Sequence, residues 1–182
     1  MRAMLRIGSM LLGASVVVAG QSSLDGRTEV ALERLFPTAT TFSPKQSSPP
    51  HFKALRTDAS GQQTLLGIAF WTTEIEPLER GYDGPIKILV GMNLQGILTG
   101  VVVAEHHEPY GYFSVDRNQF AAQFVGKDIR DPFQVGADVD AVSRASISIA
   151  SATRAIRNSA RRVARQLLTA PIPDSTIENR PR

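Results

Sequence analysis

The chain of 182 residues contains no cysteine and only three histidines. Disulfides, thiolate nucleophiles, iron–sulfur clusters and cysteine-based zinc sites are therefore excluded, as is a lipid anchor attached to a cysteine. The sequence also has no Gly-x-Ser-x-Gly elbow, no P-loop and no Gly-x-Gly-x-x-Gly motif. The classes of hydrolase, nucleoside triphosphatase and dinucleotide-binding enzyme that these motifs mark are accordingly not indicated.

Composition points to one folded domain. Hydrophobic residues make up 42% of the chain and charged residues 20%, which is typical of a globular protein and not of a disordered one. The length allows a single domain with a sizeable core. We expect this domain over residues 28–168, with a polar tail at 169–182.

Residues 1–20 have the pattern of an export signal. Arg2 and Arg6 supply a positive end, residues 7–19 supply an uncharged and mostly apolar core, and a small residue follows at Gly20. The alternative is an uncleaved membrane anchor, although the apolar run is short for a span of roughly 20 residues. Either interpretation places the protein outside the cytoplasm, in the periplasm or at the membrane, and nothing later in the sequence is apolar for long enough to cross a bilayer.

The formal net charge of +3 is unevenly distributed. Between residues 141 and 173 there are no acidic residues and six arginines, at positions 144, 154, 157, 161, 162 and 165. A basic helix can bind nucleic acid, but an exported protein rarely meets it. The remaining interpretations of this arginine-rich helix are a solvated face, a docking surface for an acidic redox partner, and a contact with anionic lipid.

Local patterns predict an α+β fold with an antiparallel sheet. The centre is a hairpin over residues 86–103, because apolar β-branched runs flank a turn at 93–96. Two earlier strands are predicted at 52–56 and 64–71, with Trp71 facing the core. Helices are predicted at 28–36 with Thr28 as N-cap, at 116–125 with Asp116 as N-cap, and at 148–168, where apolar residues recur every three or four positions. We expect the last two helices to pack on the sheet.

The segment Asp140-Ala141-Val142-Ser143-Arg144-Ala145-Ser146 combines two hydroxyls with a small residue just ahead of a predicted helix. The N-terminus of a helix carries unpaired amides and the positive end of the dipole, which favour a phosphate group. Arg144 can add a charge-assisted hydrogen bond, and Ala145 leaves room for a bulky phosphate. Ser146 therefore has the position and chemistry of a phosphate acceptor.

Asp140-x-x-Ser143-x-Ala145-Ser146 resembles the Asp-x-x-Ser/Thr-Gly-Ala-Thr signature of the FMN-binding domain family. That family includes the exported domain of NosR-type regulators, and it has members among the subunits of the sodium-translocating NADH:quinone reductase and of the Rnf complex. Upstream segments resemble NosR-type members in the same order, so that the similarity covers most of residues 28–168: Leu35-Phe36-Pro37, Gly81-Tyr82-Asp83-Gly84-Pro85-Ile86, Leu89-Val90-Gly91, Gly96-Ile97-x-x-Gly100-Val101 and Glu105-His106-His107-Glu108-Pro109.

The resemblance implies an exported electron-transfer protein that carries FMN, attached covalently to Ser146 through a phosphoester. It also implies a flavin transferase for maturation, a membrane-bound or periplasmic redox partner, and no nucleic acid. Such a protein is a redox carrier or accessory module rather than a stand-alone catalyst, so no catalytic residue is expected. The cofactor contacts that the resemblance implies are Asp140, Ser143, Arg144, Ala145 and Ser146 in the motif, with Tyr82, His106 and Glu108 beside the flavin ring.

Two positions depart from the signature, because Arg144 replaces Gly and Ser146 replaces Thr. The serine keeps the required hydroxyl. The arginine is the larger change, since a Gly position with positive φ strains any other residue. Non-covalent flavin, or a sensory or partner-binding module of the same fold that has lost the flavin, therefore stay open. A metal site at His106-His107 is not expected, because neighbouring residues of a strand point to opposite faces.

Overall fold

A computed structural model describes residues 24–168 of the chain. The predicted export signal at 1–20 and the polar tail at 169–182 lie outside the described residues. Within them, the element order is α1, six strands interrupted by α2, and then α3 and α4.

The described chain begins with helix α1, Gly26–Leu35, and its N-cap is Asp25. The Asp25 carboxylate accepts hydrogen bonds from the Thr28 amide (3.0 Å) and the Thr28 hydroxyl (2.6 Å). The predicted cap at Thr28 is therefore wrong: Thr28 is the third helical residue, whose amide the cap satisfies. Both bonds stabilise the carboxylate, and the pKa of Asp25 is lowered, with the Thr28 hydroxyl as the main cause.

The strands form an antiparallel sheet in the order β1-β3-β4-β5-β6, with β2 paired to β3 alongside it. Their bounds are β1 Thr41–Phe42, β2 Gln46–Ser47, β3 Pro50–Thr57, β4 Gln63–Trp71, β5 Lys87–Asn93 and β6 Leu98–Glu105. The four strands predicted from sequence are β3 to β6. The α+β fold with an antiparallel sheet is thereby confirmed.

The hairpin between β5 and β6 turns at Asn93, whose side-chain oxygen accepts hydrogen bonds from the amides of Gln95 and Ile97, both at 2.9 Å. Gly96 has a φ of 81°, a region that strongly favours glycine. This turn chemistry is local, which is why the sequence predicts it.

Helices cover both faces of the sheet. Alternate residues of β4 belong to different cores: Phe70 packs on the side of α4, whereas Trp71 packs on the side of α1. The α4 side holds the larger cluster, which includes Ile149 and Ile156 of α4 and Phe124. The burial of Trp71 confirms its predicted place in the core.

Helix α4 spans Ser146–Leu167, two residues longer at its start than predicted. The short helices are α2, Thr72–Ile75, and α3, Asn118–Ala122, with one 3₁₀ turn at Gly111–Phe113. The prediction of a helix over 116–125 is too long, and its cap is wrong. Arg117 occupies the N-cap position, and Asp116 instead accepts a hydrogen bond from His106.

The arginines of α4 are largely engaged within the domain. Arg154 pairs with Glu79 at 2.7 Å, and Arg162 pairs with Glu76 at 3.0 Å, which ties α4 to the segment after α2. Two of the five arginines of α4 are thus neutralised by the domain's own acids. Among the helices described between residues 24 and 168, none has the length and apolar character to cross a membrane.

Candidate functional site

Ser146 is the first residue of α4 and its side chain is exposed. The sequence placed it just ahead of the helix; the structure places it in the first turn. Ala145 occupies the N-cap position, and no side chain in the described part of the chain caps the helix. The first amides of any helix lack partners within it, so Ser146 lies beside a set of uncapped N–H donors.

The backbone at Arg144 has a φ of 67°, in the left-handed region. The turn closes when the Ala145 amide donates to the Val142 carbonyl at 3.1 Å. Positive φ at this position is the condition under which glycine is the unstrained choice. Arg144 therefore adopts a conformation that glycine would adopt freely, at a strain of about 1 kcal/mol or somewhat more.

A cavity of about 200 Å³ adjoins Ser146, and we call it the serine cavity. Its lining brings one end of α4 together with two loops: Tyr82, Pro109, Tyr110 and residues 144–148. Ligand pockets usually measure roughly 300–1,000 Å³, so the cavity itself holds only part of a flavin nucleotide. Apolar area continues outside it, because Tyr82 is 69% exposed and Ile147 is 55% exposed.

Asp140 and Ser143 do not line the serine cavity. They border a neighbouring concavity of about 480 Å³ together with Phe113, Phe120 and other residues of the α3 region. The Asp140 amide donates to the Gln123 side chain at 2.6 Å. The motif thus divides between two concavities, with Arg144, Ala145 and Ser146 on one side and Asp140 and Ser143 on the other.

Glu108 is buried next to the serine cavity, with only 6% of its surface exposed, and it links the segments that form the cavity. Its carboxylate accepts hydrogen bonds from the amides of Tyr82 (3.1 Å) and Asp83 (3.0 Å), and a third from the Ser148 hydroxyl. A Cβ at Gly81 would collide with this carboxylate, so the loop needs glycine there. Glu108 consequently joins the loop that carries Tyr82 to the first turn of α4, and it does not line the serine cavity.

His106 is fixed by hydrogen bonds at both ring nitrogens. Its Nδ1 accepts from the Glu108 amide at 3.0 Å, so the proton lies on Nε2, which donates to Asp116 at 2.7 Å. A Cβ at Gly111 would overlap the imidazole ring. His106 therefore stabilises the loop at 106–116, and it does not line the serine cavity. Within residues 24–168, no group of three or more His, Asp or Glu side chains is placed to hold a metal ion.

Sequence reasoning missed Tyr110, Ile147 and Ser148, which border the serine cavity. Tyr110 and Tyr112 both contact Phe113, with ring centroids 5.3 Å and 4.9 Å apart. The density of aromatic residues in a glycine-containing loop was a usable signal for this cluster.

The segment that leads into the motif is organised by Asp138. Its carboxylate accepts hydrogen bonds from the amides of Phe133 and Gln134 and pairs with Lys127 at 3.0 Å. Partial burial alone would raise the pKa of Asp138, but the Gln134 amide, Lys127 and the Phe133 amide outweigh it, so that the pKa is lowered. The neighbouring ion pair with Arg130 lowers the pKa of Asp128 to about 2.

Fold and site together define a single α+β domain in which a hydroxyl at a helix N-terminus borders a partly apolar cavity. Residues 81–161 match the family model for the FMN-binding domain, which supports the assignment of this region to the FMN-binding domain family. The matched region contains the Gly81 loop, the β5–β6 hairpin, Glu108, the motif and most of α4. The match confirms the family suggested by the sequence for this region, and it supports a flavin-binding protein with FMN as its cofactor. The chain has no match among curated proteins.

Proposed function

We propose that this protein is an exported electron-transfer protein whose FMN is bound covalently to Ser146 through a phosphoester. The observation that carries the proposal is the exposed hydroxyl of Ser146 at the uncapped start of a helix of 22 residues. The family match supports FMN as the cofactor.

The start of α4 suits a phosphodiester. The unpaired first amides and the dipole, equivalent to roughly half a positive charge, stabilise an anion at this end. The first turn contains no acidic residue that would compete for these donors. Arg144 lines the same cavity and brings a guanidinium, which forms strong hydrogen bonds with phosphate oxygens.

Three serines lie close together here, and their surroundings favour Ser146 as the acceptor. Ser148 is buried, and its hydroxyl is already bonded to Glu108. Ser143 is exposed but faces the neighbouring concavity. Only Ser146 combines an exposed hydroxyl with the serine cavity and the helix start.

Attachment needs an activated donor, because a phosphate monoester does not condense with an alcohol in water unaided. We propose a flavin dinucleotide as this donor, handled by a flavin transferase. A bond forms between Ser146 Oγ and the flavin phosphorus, the phosphoanhydride bond breaks, and the nucleoside monophosphate leaves with the serine proton. The protein then gains the mass of FMN minus one water.

Bound flavin supplies reversible uptake of one or two electrons, and the protein supplies binding and positioning. Tyr82, Tyr110 and Ile147 offer exposed apolar area at the rim of the serine cavity for a flat ring. Glu108 and His106 position this rim from beneath through the hydrogen bonds described above. Asp140 and Ser143 would shape the turn that presents Arg144.

The proposal places the protein in the periplasm or at the outer side of the membrane, on the strength of residues 1–20. Its partner would be a membrane-bound or periplasmic redox protein. Fractionation of cells that express the full chain tests this location. Recovery in the cytoplasm with residues 1–20 intact would contradict it.

The covalent link is tested by intact mass after co-expression with a flavin transferase. The wild-type chain should gain one FMN minus water, and Ser146→Ala should gain nothing. Ser143→Ala is the matched control and should be loaded like the wild type. Flavin that is released on denaturation would show non-covalent binding instead.

A second candidate is a sensory or partner-binding module that has lost the flavin. Arg144 favours this candidate because its large side chain lines the serine cavity, where the flavin phosphate would bind. In that case the wild-type chain would carry no flavin of either kind. Loading of Arg144→Gly but not of the wild type would then identify the arginine as the cause.

A further inference from the structure

A second concavity lies at the opposite end of α4, formed by the β5–β6 turn, residues 129–130 and the last turns of the helix. It measures about 560 Å³, and we call it the arginine cavity. Because the helix rises about 1.5 Å per residue and the cavity lies against Arg161 to Leu168, it is roughly 22–33 Å from Ser146 along the helix axis. A molecule bound there cannot contact a flavin phosphate at the serine cavity.

The helix contributes one stripe of side chains to the arginine cavity. Arg161, Ala164, Arg165 and Leu168 recur at spacings of three and four, so they share one face of the helix. The stripe alternates two cations with two apolar side chains. Ile129 and the exposed Leu94 at the hairpin turn add apolar area from the other side.

The three arginines of this cavity differ in how they are held. Arg161 is fixed by the carbonyls of Ile129 and Asp131, both at 2.7 Å, and these neutral acceptors leave its charge in place. Arg130 is paired with Asp128. The side chain of Arg165 is exposed and forms no hydrogen bond or ion pair with any residue between 24 and 168.

This arrangement selects for an anion. A guanidinium binds carboxylate or phosphate oxygens through two parallel hydrogen bonds, and a pre-oriented one such as Arg161 loses little conformational freedom in doing so. The C-terminal end of α4 opposes an anion with roughly half a negative charge. Two guanidiniums without a carboxylate partner outweigh that effect.

The apolar lining adds a second requirement. A fully hydrated inorganic anion leaves the exposed part of Leu94, Ile129 and Leu168 facing water, whereas a ligand with an attached alkyl group removes apolar surface from water on both partners. We propose that the arginine cavity binds an amphiphilic anion: a phosphate or carboxylate group that carries a short apolar chain. Anionic lipid and soluble organic acids share this chemistry.

The experiment uses hexyl phosphate as probe, with inorganic phosphate and hexanol as comparisons, titrated into the full-length chain and followed by NMR shifts of the Gly96 and Arg165 amides. Hexyl phosphate should bind saturably and more tightly than either comparison compound. Arg165→Gln should weaken it about tenfold, the loss expected for one strong charge-assisted contact. Arg162→Gln removes the same charge from the same helix outside the cavity and should bind like the wild type.

The source of the anion is decided by vesicles. Co-sedimentation with phosphatidylglycerol vesicles but not with phosphatidylcholine vesicles, reduced in Arg165→Gln alone, identifies a lipid surface. Binding of hexyl phosphate without binding to either vesicle identifies a soluble anion. The proposal is overturned if hexyl phosphate does not saturate, if inorganic phosphate or hexanol binds equally well, or if the two arginine variants behave alike.

Discussion

At the scale of single residues, Arg144 is the position where the sequence departs from the signature and where the backbone is strained. The signature position normally holds glycine, and the arginine adopts the left-handed conformation that glycine would adopt freely. The sequence predicts a strained arginine only if this position has a positive φ, and the φ of 67° meets that condition. The sign of φ at Arg144 could not be predicted from the sequence alone.

Replacing this arginine should stabilise the protein. Arg144→Gly relieves a left-handed strain of about 1–2 kcal/mol and loses about 0.5–1 kcal/mol through the greater freedom of glycine in the unfolded chain, for a net gain of roughly 0.5–1 kcal/mol. Urea denaturation measures the change. Gly126→Ala is a control that introduces the same backbone strain. Gly126 has a φ of 79° and no neighbouring atoms where a Cβ would lie, so alanine there should destabilise the protein by about 1 kcal/mol. A less stable Arg144→Gly would contradict the account.

Glu108 is the residue on which the geometry of the cavity rim depends. Glu108→Gln removes the charge and one accepting oxygen from a buried group with three donors, and should destabilise the fold by about 2–3 kcal/mol. Glu105→Gln, at the exposed end of β6, should change stability by less than about 0.5 kcal/mol. Thermal unfolding compares the two. Hydrogen exchange of the Tyr82 and Asp83 amides should also become faster in Glu108→Gln. Unaltered exchange at these amides would contradict the proposed role of Glu108.

At the scale of elements, the sequence predicts the strands and helices that depend on contacts between residues close in the chain. The β5–β6 hairpin follows from its turn residues, and α4 follows from its apolar periodicity. The helix predicted at 116–125 failed for a non-local reason: Asp116, a suitable N-cap by sequence, instead binds His106, ten residues earlier. The link between Glu108 and Ser148 spans forty residues and leaves no trace in local sequence patterns.

The turn that precedes the motif should make stability depend on pH. The pKa of Asp138 is lowered in the folded protein, so its contribution is present above the ordinary value of 3.8 and is lost as pH falls through the folded pKa. Asp138→Asn should therefore destabilise the protein by about 1–2 kcal/mol at about pH 6. Well below the folded pKa, the two proteins should converge. Urea midpoints at several pH values measure this, and an equal gap at all pH values would contradict it.

At the scale of the whole molecule, the layers explain how the site is presented. The sheet holds α1 on one face and α4 on the other, and the β6–α3 connection brings Glu108 under the start of α4. The α+β class, and the place of Ser146 near the start of the last helix, could be predicted from the sequence. The division of the motif between two concavities, with Asp140 bordering one and Ser146 the other, could not be predicted, because it depends on how the 106–126 segment packs.

The central claim, a phosphoester on Ser146, is tested most directly by mapping the flavin to one peptide. Trypsin cuts after Arg144 and Arg154, so the peptide of residues 145–154 contains Ser146 but not Ser143. For protein loaded by a flavin transferase, fragmentation of this peptide should place the mass of FMN minus water on residue 146. Flavin on any other residue, or an unmodified peptide from protein that was exposed to active transferase and donor, would contradict the account.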